Sequence, residues 1–323
     1  MNRRDFINCS SCFLLGCLTT SIFNRYINTK NNFYENHDYT KNVNMQLNGF
    51  TVAVSSHCNL NCKGCDTYSP LAKQEFVTYN QFTEDMQKLK ELAPDRMFSV
   101  GLLGGEPLLN PDFTKIIKKH HELFPYGSRG ILTNGILLNN MNDDFWNTLK
   151  NTQTGISISK YPINIDRSIY EKKAKKFDIH IEYSDIRSDK FYDIKTHEVI
   201  SHNYHSDGAE WSKNILDLDG KQDYVEKRYT CPHRGIVQYA RGNIYYCYVH
   251  AFINAFIDYF KVNIPITNDD YIKIADVKSI EEIDEFLSTP KPLCKYCKQC
   301  HNTCYGSEPL EWGFSERQIT EWT

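Results

Sequence analysis

Short β-rich runs alternate with helix-length segments from Phe50 to Ser184, and this alternation restricts the fold more than any other feature of the chain. The runs are "FTVAVSS" from Phe50, "MFSVGLLGG" over 97–105, "RGILTNG" over 129–135, "TGISISK" over 154–160 and "DIHIEYS" over 178–184. Between the first two, residues 80–92 place Phe82, Met86 and Leu89 on one helical face. "PDFTKIIKKHHELF" opens with Pro111 and Asp112, which suit a helix start, and "IDRSIYEKKAKKF" gives a further helix. Strands separated by helices imply βα units and a parallel sheet. Ligands of such folds gather at the C-terminal ends of the strands, and the chemical motifs of residues 50–190 fall there.

The first motif is "CNLNCKGC", which places Cys58, Cys62 and Cys65 directly after the first strand. Three thiolates can hold three irons of a cubane cluster and leave the fourth iron open to an outside ligand. Zinc with His57 as a borrowed ligand, or three buried thiols, are the alternatives. The chain holds 12 cysteines in all, and their close clustering favours metal over disulfides between distant loops. Net charge is −3, so there is no bulk attraction to nucleic acid or anionic lipid, and no nucleic-acid partner is expected.

The cysteine triad after a first strand, together with "GGEPLL" at 104–109, resembles the radical S-adenosylmethionine (SAM) superfamily, more loosely across about residues 50–190. The resemblance implies a partial (β/α)6 TIM-like barrel and a 4Fe–4S cluster on Cys58, Cys62 and Cys65, with SAM as the second cofactor. In that superfamily the reduced cluster cleaves SAM, and the 5′-deoxyadenosyl radical so formed abstracts a substrate hydrogen. Gly104 and Gly105 lack Cβ atoms and allow close backbone approach to a ligand. Glu106 would accept from the protonated methionyl amine. By the same resemblance Asn134 would point into the barrel mouth, and Ser157 and Ser159, which share a strand face, would bond the SAM carboxylate or ribose. Many members carry an aromatic residue just before the third cysteine, where this chain has Gly64, so the adenine contacts would differ. "CDTYSPLA" looks similar to a subgroup found beside sugar and surface-polysaccharide genes.

The C-terminal third adds six cysteines. Cys231 and Cys247 frame "CPHRGIVQYARGNIYYC", which matches the opening of SPASM or twitch modules, the carriers of auxiliary iron–sulfur clusters. Cys294, Cys297, Cys300 and Cys304 form a run similar to the later part of such modules, though its middle gap is two and no cysteine follows Cys304. An auxiliary 4Fe–4S cluster is expected here, with a zinc knuckle at 294–304 as the alternative. His233, His250 and His301 are nearby ligand candidates, and Tyr239, Tyr245, Tyr246 and Tyr248 are expected to pack or shield the site.

Four segments follow from these motifs: a signal-like or tethering stretch with linker at 1–49, the SAM core at 50–190, a connection or lid at 191–230, and the cysteine-rich module at 231–323. Arg3-Arg4 before the apolar run Phe13–Phe23 resembles a twin-arginine export signal, and the run is too short to span a bilayer as a helix. SAM and low-potential electron donors such as flavodoxin or ferredoxin argue instead for work in the cytoplasm, with membrane proximity through the N-terminal segment as the alternative. The expected enzyme would act on a peptide or sugar-type substrate. A non-catalytic iron–sulfur or electron-transfer protein on the same fold is the competing class.

Overall fold

The computed structural model describes residues 45–202, 208, 211–231, 233, 235–298 and 307–323. Five βα repeats open it: β1 (Gly49–Ser55), α1 (Tyr79–Leu92), β2 (Ser99–Gly104), α2 (Phe113–Leu123), β3 (Arg129–Thr133), α3 (Asp143–Asn151), β4 (Gly155–Lys160), α4 (Ser168–Phe177) and β5 (Ile181–Asp185). Local chemistry sets their starts. Thr78 caps α1 by accepting from the Gln81 N–H at 3.2 Å, and Asn142 caps α3 by accepting from the Phe145 N–H at 3.0 Å. Phe82, Met86 and Leu89 form the buried stripe of α1, as their spacing predicts.

Beyond β5 come β6 (Lys190–Tyr192), β7 (Val199–His202), β8 (Ser212–Asn214), α5 (Tyr224–Thr230), β9 (Gln238–Ala240), β10 (Asn243–Tyr245), α6 (Tyr248–Phe260), β11 (Tyr271–Lys273), α7 (Ile280–Ser288) and β12 (Ser307–Pro309). One eight-stranded sheet runs β11-β10-β9-β1-β2-β3-β4-β5 among the described residues. β9 and β1 to β5 are mutually parallel, so the α/β class is as expected from the sequence. The sheet is open among the described residues, not a closed barrel. The sixth parallel strand lies beside β1 instead of following β5.

β1 is buried at every position but its first, as a central parallel strand covered on both faces must be. β9 and β10 form a hairpin around Arg241 and Gly242, both at positive φ, the geometry of a two-residue turn matched to strand twist. Through the hairpin, β9 to β11 join the sheet of β1 to β5, so the sheet includes strands from both sides of residue 230. A continuous apolar core includes residues from both sides: Val52, Leu102, Ile131 and Ile156 with Tyr239, Ile244, Phe256 and Ile283.

Among the described residues no helix is long and apolar enough to cross a membrane. Residues 1–44, with Arg3-Arg4 and Phe13–Phe23, lie outside the described residues, as do Cys300, His301 and Cys304.

Candidate functional site

The three thiols of the first motif meet over the C-terminal ends of β1 to β4. Cys58, Cys62 and Cys65 line a cleft of about 760 Å³, its open mouth included. Gly104 and Gly105 from the end of β2, Asn134 from the end of β3 and Ser159 from β4 line it too. Leu60, Asp66, Thr67, Ser69, Thr133, Tyr161, Trp211 and Tyr248 complete most of its wall. Ser157 shares the Ser159 face but is not part of the lining; it is buried, and its hydroxyl has no partner among the described residues. His57 turns away from the cleft, with its ring against Phe76 at 5.2 Å and its Nδ1 3.3 Å from the Ser55 hydroxyl.

The two glycines bring chain against chain. A Cβ on Gly104 would collide with the Ser55 carbonyl, and one on Gly105 with the His57 carbonyl. The absent side chains let the Gly105 N–H reach the Ser55 carbonyl at 2.8 Å and the Glu106 N–H reach the His57 carbonyl at 3.0 Å. The end of β2 is thereby fastened to the start of the cysteine loop.

Glu106 is fully buried and faces inward, outside the cleft lining. Its Oε1 accepts from the Leu108 N–H at 3.1 Å and the Thr133 hydroxyl at 2.7 Å, and its Oε2 accepts from the Asn134 N–H at 2.9 Å. Burial raises its pKa to about 7, against the pull of those donors. The carboxylate thus braces the turn that carries Asn134. The Asn134 Nδ2 donates to the Asn59 side-chain oxygen at 2.9 Å and points at the Cys58 sulfur at 3.5 Å.

Outside the cleft, residues 313–315 pack against the cysteine loop. The cysteine loop exchanges backbone bonds with residues 313–315: Lys63 N–H to the Gly313 carbonyl at 2.8 Å, and Ser315 N–H to the Asn61 carbonyl at 2.8 Å. Two indoles complete the clamp. The Trp211 Nε1–H donates to the Lys63 carbonyl at 2.8 Å, and the Trp322 Nε1–H to the Cys65 carbonyl at 2.9 Å. Gly64 is left-handed at φ +61, and a Cβ there would press on Leu310 and Lys213. The position that carries an aromatic residue in many SAM enzymes is therefore filled from outside the loop. Nothing in the local pattern of the loop marks Trp211, Tyr161 or Trp312 as its neighbours. A tryptophan in the otherwise polar stretch 185–230 was the one available signal.

Burial raises the Cys58 thiol well above its ordinary pKa, helped by the charges of Glu106 and Cys65 and opposed by the Leu60 N–H and Asn134. Cys62 is raised for the same first reason, with Cys65 and Cys58 adding repulsion. Ionising Cys58 and Cys62 in this setting calls for a compensating cation, which a metal cluster would supply. All three are free of disulfides.

A second group of thiols lies where the hairpin, α6 and the segment Pro292–Tyr296 meet. Cys247 is the residue before α6, and Cys294 and Cys297 sit in or just beyond that segment. Burial raises Cys294 and Cys247 well above the ordinary thiol range, and each feels the Cys297 and Cys231 thiols. Burial, then Cys231, pushes Cys297 up to about 12. His250 approaches the Cys294 sulfur at 3.5 Å through Nε2, while the His233 ring packs against Tyr248 at 5.1 Å. Tyr239, Tyr245, Tyr246 and Tyr248 are all buried, and Tyr248 lines the cleft of the first group.

Among the described residues no three His, Cys, Asp or Glu side chains converge tightly enough to hold one metal ion. His202 lies in β7, and its sequence neighbours His205 and Asp207 are outside the described residues.

Residues 52–166, about a third of the chain, match the Radical SAM superfamily. A GTP 3′,8-cyclase of Staphylococcus saprophyticus is 27% identical over 106 residues, 31% of this chain and 30% of that protein. One of Clostridium botulinum is 23% identical over 269 residues, 81% of this chain and 79% of that protein. The chain spans 30% to 44% of the length of the first curated relatives it matches. Among solved structures, BtrN in complex with AdoMet and 2-DOIA aligns over 83% of this chain and 99% of that one, at 15% identity and a TM-score of 0.46. SuiB of Streptococcus suis bound to the precursor peptide SuiA aligns over 88% and 76%, at 14% identity and a TM-score of 0.44.

Proposed function

We propose that this chain is a radical SAM enzyme whose Cys58, Cys62 and Cys65 hold a 4Fe–4S cluster, with SAM bound in the cleft beside them. The observation that carries the reading is the convergence of those three thiols with the ends of β2, β3 and β4 on one cleft, inside the matched region. When bound, the cluster and SAM together supply the radical that abstracts hydrogen from a substrate carbon. The chain's own residues do the rest. Asn134 orients the Cys58 sulfur, Glu106 fixes Asn134, and Gly104 and Gly105 hold the strand end against the loop. Ser159 offers a hydroxyl to SAM from β4. Tyr161 and Trp211 keep water from the cysteine side.

The second thiol group is proposed to hold an auxiliary 4Fe–4S cluster through Cys231, Cys247, Cys294 and Cys297, with Cys300 and Cys304 as further ligands. The substrate is proposed to be a peptide or sugar-type molecule, the reductant a flavodoxin or ferredoxin, and the site of work the cytoplasm, where SAM and such donors are found.

The test is anaerobic reconstitution followed by dithionite and SAM. The expected product is 5′-deoxyadenosine, lost in the triple Cys→Ala variant of 58, 62 and 65. A variant that cleaves SAM as well as the parent overturns the assignment. SAM binding without 5′-deoxyadenosine would leave a non-catalytic iron–sulfur protein.

A further inference from the structure

The two aliphatic hydroxyls of "CDTYSPLA" form a chain with the sulfur of the third cysteine. The Tyr68 N–H donates to the Cys65 carbonyl at 3.0 Å, which closes a turn over Asp66 and Thr67. The turn folds Thr67 back on Cys65, and the Thr67 Oγ1 lies 3.3 Å from the Cys65 sulfur. Tyr68 is left-handed at φ 52, and beyond it the Ser69 Oγ stands 2.6 Å from the Thr67 Oγ1. Ser69 is buried and Thr67 half-buried, and both line the cleft.

Chemistry fixes the direction of this chain once the sulfur is bound to iron. A metal-bound cysteine sulfur has given up its proton and can only accept. The Thr67 hydroxyl then donates to Cys65, and its oxygen is left to accept from Ser69. A hydroxyl that accepts one bond while it donates another is the stronger donor for it. Cys58 faces donors in the same way, the Leu60 N–H at 3.4 Å and the Asn134 Nδ2 at 3.5 Å. At Cys65 the donor is a hydroxyl, which one substitution removes without touching the backbone.

We propose that the Thr67 hydroxyl, oriented by Ser69, donates a hydrogen bond to the Cys65 sulfur and raises the reduction potential of the first centre. The inference rests on Cys58, Cys62 and Cys65 holding a 4Fe–4S cluster. A donor to a ligand sulfur stabilises the reduced, more negative state, so its loss moves the potential down. Thr67 acts through Cys65 and is a positioning residue. A hydroxyl that served SAM instead would have its effect only with SAM bound.

The experiment uses the full chain, reconstituted anaerobically, with every cysteine in place. The first centre is identified as the electron paramagnetic resonance signal of the reduced protein that changes when SAM is added. Its midpoint is read by redox titration without SAM in the parent, Thr67→Val, Thr67→Ser and Ser69→Ala, and iron and sulfide are counted in each. Val keeps the branched shape and removes the hydroxyl, whereas Ser keeps the hydroxyl. The expected result is unchanged iron, a midpoint shifted to more negative potential in Thr67→Val, a smaller shift of the same sign in Ser69→Ala, and a midpoint near the parent's in Thr67→Ser. A midpoint unmoved in Thr67→Val, or moved as far in Thr67→Ser, overturns the role of Thr67 and leaves the cluster standing. Weaker SAM binding with an unmoved midpoint assigns the hydroxyl to SAM and overturns the tuning role. Iron lost in Thr67→Val alone shows a hydroxyl that retains the cluster, and overturns that role too. No SAM-responsive signal in the parent overturns the cluster reading and the inference with it.

Discussion

Glu106 keeps three donors satisfied in a place water does not reach. Glu106→Gln would leave one accepting oxygen and put an NH2 group among those donors. At least one of the Leu108, Thr133 and Asn134 donors would then lose its acceptor, at about 1–3 kcal/mol. Denaturant titration should show a lower midpoint with an unchanged slope. "GGEP" at a strand end made the carboxylate and its two glycines legible. It did not tell that the carboxylate faces the end of β3, because that depends on how two strands 29 residues apart in register, Val100 beside Arg129, come together. His120 gives a second test at this scale. Its ring is buried beside the Arg129 guanidinium, 3.4 Å from Nδ1, and burial followed by that charge lowers its pKa from 6.5 to about 3. Between those values the unfolded chain binds a proton that the folded chain refuses. The stability contributed by neutral His120 is therefore complete above pH 6.5 and is lost as pH falls towards 3, by at most about 1.4 kcal/mol per pH unit. His120→Gln should flatten that slope between pH 4 and 6, read from denaturant titrations at each pH.

At the scale of elements, the cysteine loop is shaped by the chain end that crosses it. Its carbonyls at Asn61, Lys63 and Cys65 are each taken by a donor from Ser315, Trp211 or Trp322. Gly64→Ala forces a Cβ into a left-handed site against Leu310, a strain of about 1–2 kcal/mol. It should lower the thermal midpoint of the apoprotein. Trp322→Phe removes one of the three donors and keeps a ring against Tyr68 and Phe260. Bleaching of the reconstituted protein by a chelator should then be several-fold faster, and an unchanged rate would show that the clamp does not hold the cluster. The βα repeats were legible because periodicity, Thr78 and Asn142 act locally. α6 was not. Seven of its 13 residues are buried, and "YVHAFINAFIDYF" is apolar on nearly every side, so no polar face marks it as a helix. The clamp was equally silent, since Asn61 and Ser315 are separated by 254 positions.

At the scale of the whole molecule, the segment that carries Cys247 and Cys297 shares one sheet and one core with the first five βα repeats. β9 runs parallel to β1, and the Val237 carbonyl accepts from both the Thr51 N–H at 2.8 Å and its hydroxyl at 3.2 Å. Tyr239 donates to Asp85 of α1 at 2.7 Å in a buried contact. Asp284 of α7 receives the Arg96 guanidinium through both oxygens, at 2.9 and 2.6 Å, and the Leu47 N–H at 2.8 Å. Thus the entry to β1, the approach to β2 and the last long helix share one carboxylate. The sequence showed a cysteine-rich segment and hence a module of its own. It could not show that three short strands, each of three residues, would extend an existing sheet, because such strands are specified by their partner more than by their own pattern. The consequence is testable. A fragment of residues 45–230 would uncover the edge of β1 and the apolar surface that now meets Val237, Tyr239, Ile244, Phe256 and Ile283. An unpaired central strand buried on both faces is a template for aggregation. The fragment should be insoluble or lack a cooperative transition, whereas the full chain should unfold in one transition whether followed by far-ultraviolet circular dichroism or by tryptophan fluorescence. A soluble fragment with its own sharp transition would mean that the first repeats carry enough core by themselves, and that the β9 to β11 extension is an attachment and not a support.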